Sequence, residues 1–210
     1  MDTRQRILEA AEREFAEHGF HGSSLRSITR AARVNVASIH YYYGSKEALL
    51  RATLEQIVSP VNAERLRQLD ELQAEDQPPP TVEQILRAFI APDLEMIARL
   101  GTRGAIIARF SGRSYTEPET VVSRMINDLF AEVGARFLDA LCIAVPDVDS
   151  EQLRWRLRCL VAIITYLLTA QGTARALLDA EDFETTTRRL IAFAAPGMKA
   201  PSVTAGLEVV

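Results

Sequence analysis

The chain has 210 residues, 48% of them hydrophobic, and a net charge of −4. The length exceeds a lone DNA-reading module of about 50–60 residues, and the apolar content excludes a disordered regulator. Residues 1–51 hold eight Lys or Arg against six Asp or Glu, a balance of +2, which leaves −6 on the remainder. A basic N-terminal module on an acidic body presents one surface to phosphates and keeps the rest away from them.

Apolar residues recur at spacings of 3 and 4 almost throughout and strand alternation nowhere persists, which predicts an all-α fold. A first helix over about Thr3–His18 buries Ile7, Leu8, Ala11 and Phe15, with Gly19 as its C-terminal cap. Ser24 is placed to cap a second helix with Leu25, Ile28 and Ala32 inward. Asn35 is placed to cap a third, anchored by Val34 and Ile39. Ser45 starts a fourth helix, with Ala48, Leu49 and Leu54 inward, running to about Val58; Pro60 marks a fresh start. The run Ala74–Thr81, with three successive prolines, is a loop, and Thr81 with Gln84 resembles a capping box. Pro92 interrupts or ends the helix that follows, and Gly101, Gly104 and Gly112 punctuate the next ones.

A long helix is predicted from Pro118 to about Val145. One ridge carries Val121, Met125, Leu129, Val133, Phe137 and Leu141, the next Val122, Ile126, Phe130 and Leu138. Another runs from about Glu151 to Thr169 and a last from about Asp182 to Ala194. The two long helices are apolar over more than one face, which suits a homodimer of the four-helix type, with a central helix buried within one subunit as the alternative. The candidate dimer residues are Val122, Ile126, Phe130, Trp155, Arg158, Val161, Ala162 and Thr165. The expected division is a helix-turn-helix domain over 1–50, a helical ligand-binding and dimerisation bundle over 51–195, and a disordered tail over 196–210. Cys142 and Cys159 fall in apolar helical patterns and read as buried thiols of a reducing compartment. The charged first twenty residues are unlike a signal peptide, and the longest nearly apolar run, Cys159–Ala170, is short of the roughly 20 residues of a membrane span. A cytoplasmic chain with no membrane partner is expected.

Residues 18–46 contain no acid but hold Arg26, Arg30, Arg33, Lys46 and three consecutive tyrosines. Such a two-helix unit suits a polyanion, with its second helix in the DNA major groove. The first amides of helix two make a phosphate site gripped by Ser24 and Arg26, and Lys46 approaches from the far side. Tyr41 and Tyr42 lie on the exposed turn, while Tyr43 is a core candidate. Asn35, Val36, Ala37, Ser38 and His40 face the groove. Val36 and Ala37 offer only apolar contact to a thymine methyl, so His40, Ser38, shape and water carry much of the specificity.

These residues resemble the TetR family of bacterial one-component repressors. The marks are Phe15, Gly19 and Phe20 at the end of the first helix, then Ser24–Leu25–Arg26, Ala31–Ala32, Val34, Ile39, Tyr42–Tyr43 and Ser45–Lys46–Glu47–Ala48–Leu49. Arg33 stands where that family usually has glycine in a turn of positive φ, and His40 where it commonly has tyrosine. The runs Pro60–Val61–Asn62–Ala63–Glu64–Arg65, Gly112–Arg113–Ser114–Tyr115–Thr116–Glu117–Pro118 and Trp155–Arg156–Leu157 resemble the fatty-acid-responsive subgroup. The resemblance implies a homodimeric repressor on a palindromic operator in double-stranded DNA. It also implies a small effector, with a fatty acid or acyl thioester as candidate.

Phe89, Met96, Leu100, Ile106, Phe110, Tyr115, Met125 and Tyr166 can line an apolar effector cavity or simply form core, and Arg103, Arg109 or Arg113 can meet a carboxylate or solvent. The three histidines lie in the DNA-reading part without metal-ligand spacing. No nucleophile elbow or phosphate-binding glycine loop occurs, so no enzyme, metal or cofactor is expected. The leading function is a ligand-responsive repressor. The alternatives are a DNA-bound protein acting on a protein partner, and an α-helical lipid-binding protein or enzyme with an idle head.

Overall fold

The computed structural model describes residues 2–116, 121–169 and 183–202, with side chains except at 102, 109, 111, 113–116, 168 and 169. Among these residues the chain forms α-helices and no strand: α1 (Thr3–Gly22), α2 (Leu25–Ala32), α3 (Val36–Tyr43), α4 (Lys46–Leu72), α5 (Val82–Leu100), α6 (Thr102–Thr116), α7 (Val121–Ala144), α8 (Ser150–Thr169) and α9 (Phe183–Lys199). Polar caps start most of the N-terminal ones. Ser24 Oγ accepts the Ser27 N–H at 3.0 Å, Asn35 Oδ1 accepts the Ser38 N–H at 2.9 Å, and Ser45 Oγ accepts the Ala48 N–H at 3.1 Å. Thr81 and Gln84 close a reciprocal capping box on α5. Gly19, at φ 71°, ends the regular part of α1 as its position predicts, and one more turn follows to Gly22.

Helices α1–α3 pack Ile7, Phe15, Ile28 and Ile39, all fully buried, against Leu49 and Leu54 of α4. Each such side chain contributes about 1.5–3 kcal/mol on removal from water. This core does not stop at the head. Ile107 and Phe110 of α6 and Met125 and Ile126 of α7 belong to it, and the Phe110 ring stacks on Phe15 with centroids 6.1 Å apart. A second core gathers α5, α7, α8 and α9 around Leu86, Ile90, Phe137, Leu153 and Leu190, with Leu69 of α4 at its edge. Asp149 Oδ1 accepts the Glu151 N–H at 2.8 Å at the start of α8, and Arg156 of α8 donates to the carbonyls of Met198 and Ala200 at the end of α9.

The prolines depart from the sequence reading. Helix α4 runs through Pro60 without a fresh start. Pro60 is exposed, while Ile57, Val58 and Val61 around it are buried, so packing on both sides outweighs the roughly 3 kcal/mol interior cost of proline. Helix α5 likewise continues through a buried Pro92 to Leu100. Helix α9 passes Ala194 and Pro196 to reach Lys199, and Ala195 and Met198 bury that last turn. Ala48, expected inward, is exposed; Leu50 takes the buried position beside Leu49. Gly101, at φ 52°, caps α5, whereas Gly104 and Gly112 lie inside α6. A Cβ on Gly104 would sit 2.2 Å from the Ile97 carbonyl oxygen, so glycine there lets α6 fold back on α5. The expected start of the first long helix at Pro118, the start of the last at Asp182 and tail residues 203–210 lie outside the described residues.

Candidate nucleic-acid interface and effector chamber

Helices α2 and α3 are held by three cross-links that leave one face exposed. Arg6 of α1 donates to the carbonyls of Ala32 and Arg33 at 2.6 and 2.8 Å, a cation seated on the C-terminal dipole of α2. The Tyr43 hydroxyl donates to the Arg4 carbonyl at 3.0 Å, and burial pushes this phenol up while the Arg4 side chain pulls the other way. Lys46 Nζ donates to the Ser23 carbonyl at 2.6 Å and lies 4.5 Å from the Phe20 ring centroid. Arg33 takes the left-handed conformation at φ 54°, ψ 49°, the backbone that glycine would adopt without strain.

Around buried Ile39, α3 exposes Val36, Ala37, His40, Tyr41 and Tyr42, with Ser38 half-buried; Ala37 and Tyr41 lie opposite Ile39 on the helix. Tyr41 is 83% exposed and meets Tyr42 edge-on at 5.0 Å, so the pair forms a projecting aromatic wall. His40 Nδ1 pairs with the Gly44 carbonyl at 2.9 Å, which aims the far edge of the ring outward. The Asn35 carbonyl oxygen is taken by the cap and by Ser38 Oγ, which leaves its amide nitrogen for any contact with a base. Ser24 and Arg26 are exposed at the start of α2, and Lys46 is drawn in beside them by the Ser23 carbonyl. Of the ten DNA-contact candidates, Ser24, Arg26, Asn35, Val36, Ala37, His40, Tyr41 and Tyr42 are exposed, and Ser38 and Lys46 are half-buried.

In the body, α4–α8 enclose a chamber of about 60 Å³. Its walls are apolar except at Thr165 of α8 and at one charged place. There Arg65, 2% exposed, donates from Nε to the Phe89 carbonyl at 2.8 Å, from Nη1 to Asn62 Oδ1 at 3.0 Å, and from Nη2 to Asp93. Its guanidinium lies 4.6 Å from the Phe89 ring and 5.6 Å from the Phe130 ring. Asn62 Nδ2 donates to the Leu129 carbonyl at 2.8 Å, so this polar group joins α4, α5 and α7. Burial raises the Asp93 carboxyl above its usual range, with Arg65 pulling the other way. Outside the chamber, a groove of about 750 Å³ runs between α7 and α8 and shares Phe89, Ile126, Phe130, Val161 and Thr165 with it.

Of the effector candidates, Phe89 and Met96 line the chamber and Tyr166 the groove. Leu100, Ile106, Phe110 and Met125 pack on the head-side core instead. Arg103 faces away, donating twice to buried Glu12 of α1, and the side chains of Arg109, Arg113 and Tyr115 lie outside the described residues. Of the dimer candidates, Trp155, Arg158 and Ala162 are exposed on α8, and Val161, Thr165 and Phe130 are half-buried. Val122 and Ile126 are buried inside the subunit, because this part of α7 packs on the head-side core. The sequence reading missed Arg65, Asn62 and Asp93. Their signal was present: Asn62 and Arg65 continue the apolar stripe Val58, Val61 and Leu69 of α4, where a polar pair has no solvent to face.

Residues 7–53 match the model of bacterial regulatory proteins of the tetR family, and residues 87–197 match the tetracyclin repressor-like C-terminal domain. The chain belongs to the TetR family. Among curated relatives, the transcriptional repressor NicS of Pseudomonas putida is 42% identical over 69 residues, 32% of each chain. The regulator UidR of Escherichia coli is 39% identical over 54 residues, 26% of this chain and 28% of its own. The chain thus matches about a third or less of the length of these relatives. The fatty acid degradation regulator FadR of Bacillus halodurans shares the fold at TM-score 0.68 and 17% identity, over 92% of this chain and 98% of its own. FadR of Bacillus subtilis, solved with stearoyl-CoA, aligns at TM-score 0.65 and 16% identity over the same shares. The matched TetR-family models and curated relatives are transcriptional regulators and not enzymes. No helix among the described residues is long and apolar enough to cross a membrane.

Proposed function

We propose that the protein is a ligand-responsive DNA-binding regulator that acts as a homodimeric repressor on a palindromic operator and is released by a small apolar effector. The observation that carries this reading is the exposed, acid-free face of α2 and α3. There Ser24 and Arg26 flank the first amides of α2, Lys46 lies beside them, and Val36, Ala37, Ser38 and His40 project for base contact beside Tyr41 and Tyr42. Two such heads reach successive major grooves when their recognition helices are about 34 Å apart. The outer side of α8 leaves Trp155, 66% exposed, and Tyr166 uncovered, and α9 leaves Phe193 uncovered; a second subunit removes that apolar area from water.

The route from effector to head lies in α4. Its first turns carry Leu49 and Leu50 in the head core, and its middle carries Ile57, Val58, Val61 and Arg65 at the chamber wall. Ile107 and Ile126 also line the chamber while packing in the head-side core. A body that swells the chamber therefore tilts α4 and the heads with it. Full switching from 1:99 to 99:1 requires about 10⁴-fold tighter binding to the released state. By likeness to the fatty-acid-responsive members, a fatty acid or acyl thioester is the candidate effector. Incubating sheared genomic DNA of the source organism with purified protein and sequencing the retained fragments tests the reading. Enrichment of a few promoter fragments that share a palindrome supports it; retention no better than bulk DNA at moderate salt refutes it.

A further inference from the structure

The chamber holds a cation whose supports are unequal. Arg65 is fixed by groups that cannot leave: the Phe89 backbone carbonyl, Asn62 on its own helix, and the faces of Phe89 and Phe130. Among the described residues its only anionic contact is Asp93, whose side chain is 22% exposed against 3% for that of Arg65. Asn62 is itself anchored to the Leu129 carbonyl of α7, so the guanidinium keeps its place when the carboxylate goes. Asp93 is the less enclosed of the two and borders the chamber. A burial this deep is costly for a cation that only ties two helices together, since apolar residues of similar volume do that at least as well. A fixed guanidinium with a replaceable carboxylate, opening on apolar walls, has the character of an anion-exchange site.

We infer that Arg65 and Asp93 form an exchangeable counter-ion site that selects an apolar monocarboxylate: the ligand carboxylate pairs with Arg65 and displaces Asp93 toward solvent. This inference rests on the effector reading above and narrows it to a free acid, since the neutral carbonyl of a thioester offers Arg65 no charge. It also assigns the ionic contact to α4 and α5 and not to Arg103. The acid's apolar part fills the chamber, and a longer tail reaches the groove between α7 and α8 only by parting the wall that the two share. Exchange of Asp93 for the ligand removes the ionic tie between α5 and α4, the helix that carries the head, and leaves the Arg65 bond to the Phe89 carbonyl in place.

Calorimetric titration of the full-length protein with two matched pairs, decanoate with decanol and benzoate with benzyl alcohol, tests this. The variants are Asp93→Asn, Arg65→Lys and Arg65→Gln, each first checked by thermal melting. The wild type binds at least one acid ten-fold or more tighter than its alcohol. Asp93→Asn, which keeps an acceptor for Arg65 but removes the competing charge, tightens that acid a further ten-fold or more and leaves the alcohol unchanged. Arg65→Lys keeps part of the preference and Arg65→Gln loses it. Equal affinities for acid and alcohol, or an Asp93→Asn change shared by both, overturn the exchange site and leave an apolar effector standing. Failure of all four probes to bind the wild type and Asp93→Asn overturns the effector reading and this inference together. Should Arg65→Gln fail to fold, the gain in Asp93→Asn decides alone, because a purely structural ion pair gives none.

Discussion

The contact between Arg103 and Glu12 is the sharpest test of how the body is joined to the DNA-reading head. Glu12 on α1 is 3% exposed and accepts two bonds from Arg103 at the start of α6, at 3.1 Å from Nε and 2.9 Å from Nη2. Arg103→Gln removes the cation and leaves a buried carboxylate uncompensated. For a fully buried pair that costs about 3–5 kcal/mol. The Arg103 side chain is 41% exposed, so water screens part of the interaction and the expected loss is about 2 kcal/mol. In a chain of this size that lowers the melting temperature by about 4–8 °C. Glu12→Gln removes the charge that suffers, so it costs less than Arg103→Gln, and the double variant costs less than the sum of the two. A double-mutant cycle by calorimetry or denaturant titration therefore gives a coupling of about 1–2 kcal/mol. A loss below about 0.5 kcal/mol for Arg103→Gln, or additive losses, would show that this pair does not secure the junction.

Three further outcomes are expected. Arg33→Gly relieves a left-handed backbone and raises stability by roughly 0.5–1 kcal/mol, offset in part by glycine's extra freedom when unfolded; a destabilised variant in urea titration contradicts the strain. Lys46→Ala weakens binding to every DNA sequence alike and lowers the salt slope by about one, whereas an unchanged slope removes Lys46 from the phosphate contacts. Glu64 is held at about 2 by Arg67 and Gln68, below its ordinary value, so its contribution is full above pH 4.5 and fades as pH falls toward 2. The melting difference between wild type and Glu64→Gln is thus small at pH 7, since Arg67 is exposed and Glu64 only half-buried, and shrinks further at pH 3. A difference that grows on acidification reverses the assignment.

The legible parts of this protein are those where a single residue decides a local conformation. Ser24, Asn35, Ser45 and Thr81 each satisfy a backbone N–H three residues on, and that chemistry is written in the sequence itself. The head's exposed face was legible for a related reason, since its fold is local and Ile28 and Ile39 fix which sides face in. Pro60, Pro92 and Pro196 misled because proline's cost is local while the burial that overrides it comes from other helices. Ala48 misled because one helical turn carries two adjacent buried leucines.

The Arg65 site was harder for a different reason. Its parts come from positions 62, 65, 89 and 93, each unremarkable alone, and they meet only when α5 crosses α4. What singles them out is energetic. A charged side chain within a stripe of Val58, Val61 and Leu69 must find its counter-charge on a neighbouring helix, and Asp93 just after a buried proline is the residue that supplies it. Once paired, the two charges make the α4–α5 contact depend on what else can compete for the guanidinium. The chamber is where a competitor can arrive. The helix that holds this cation also carries Leu49 and Leu50 into the head, so under the proposed exchange a chemical choice at Arg65 becomes a mechanical one at α3.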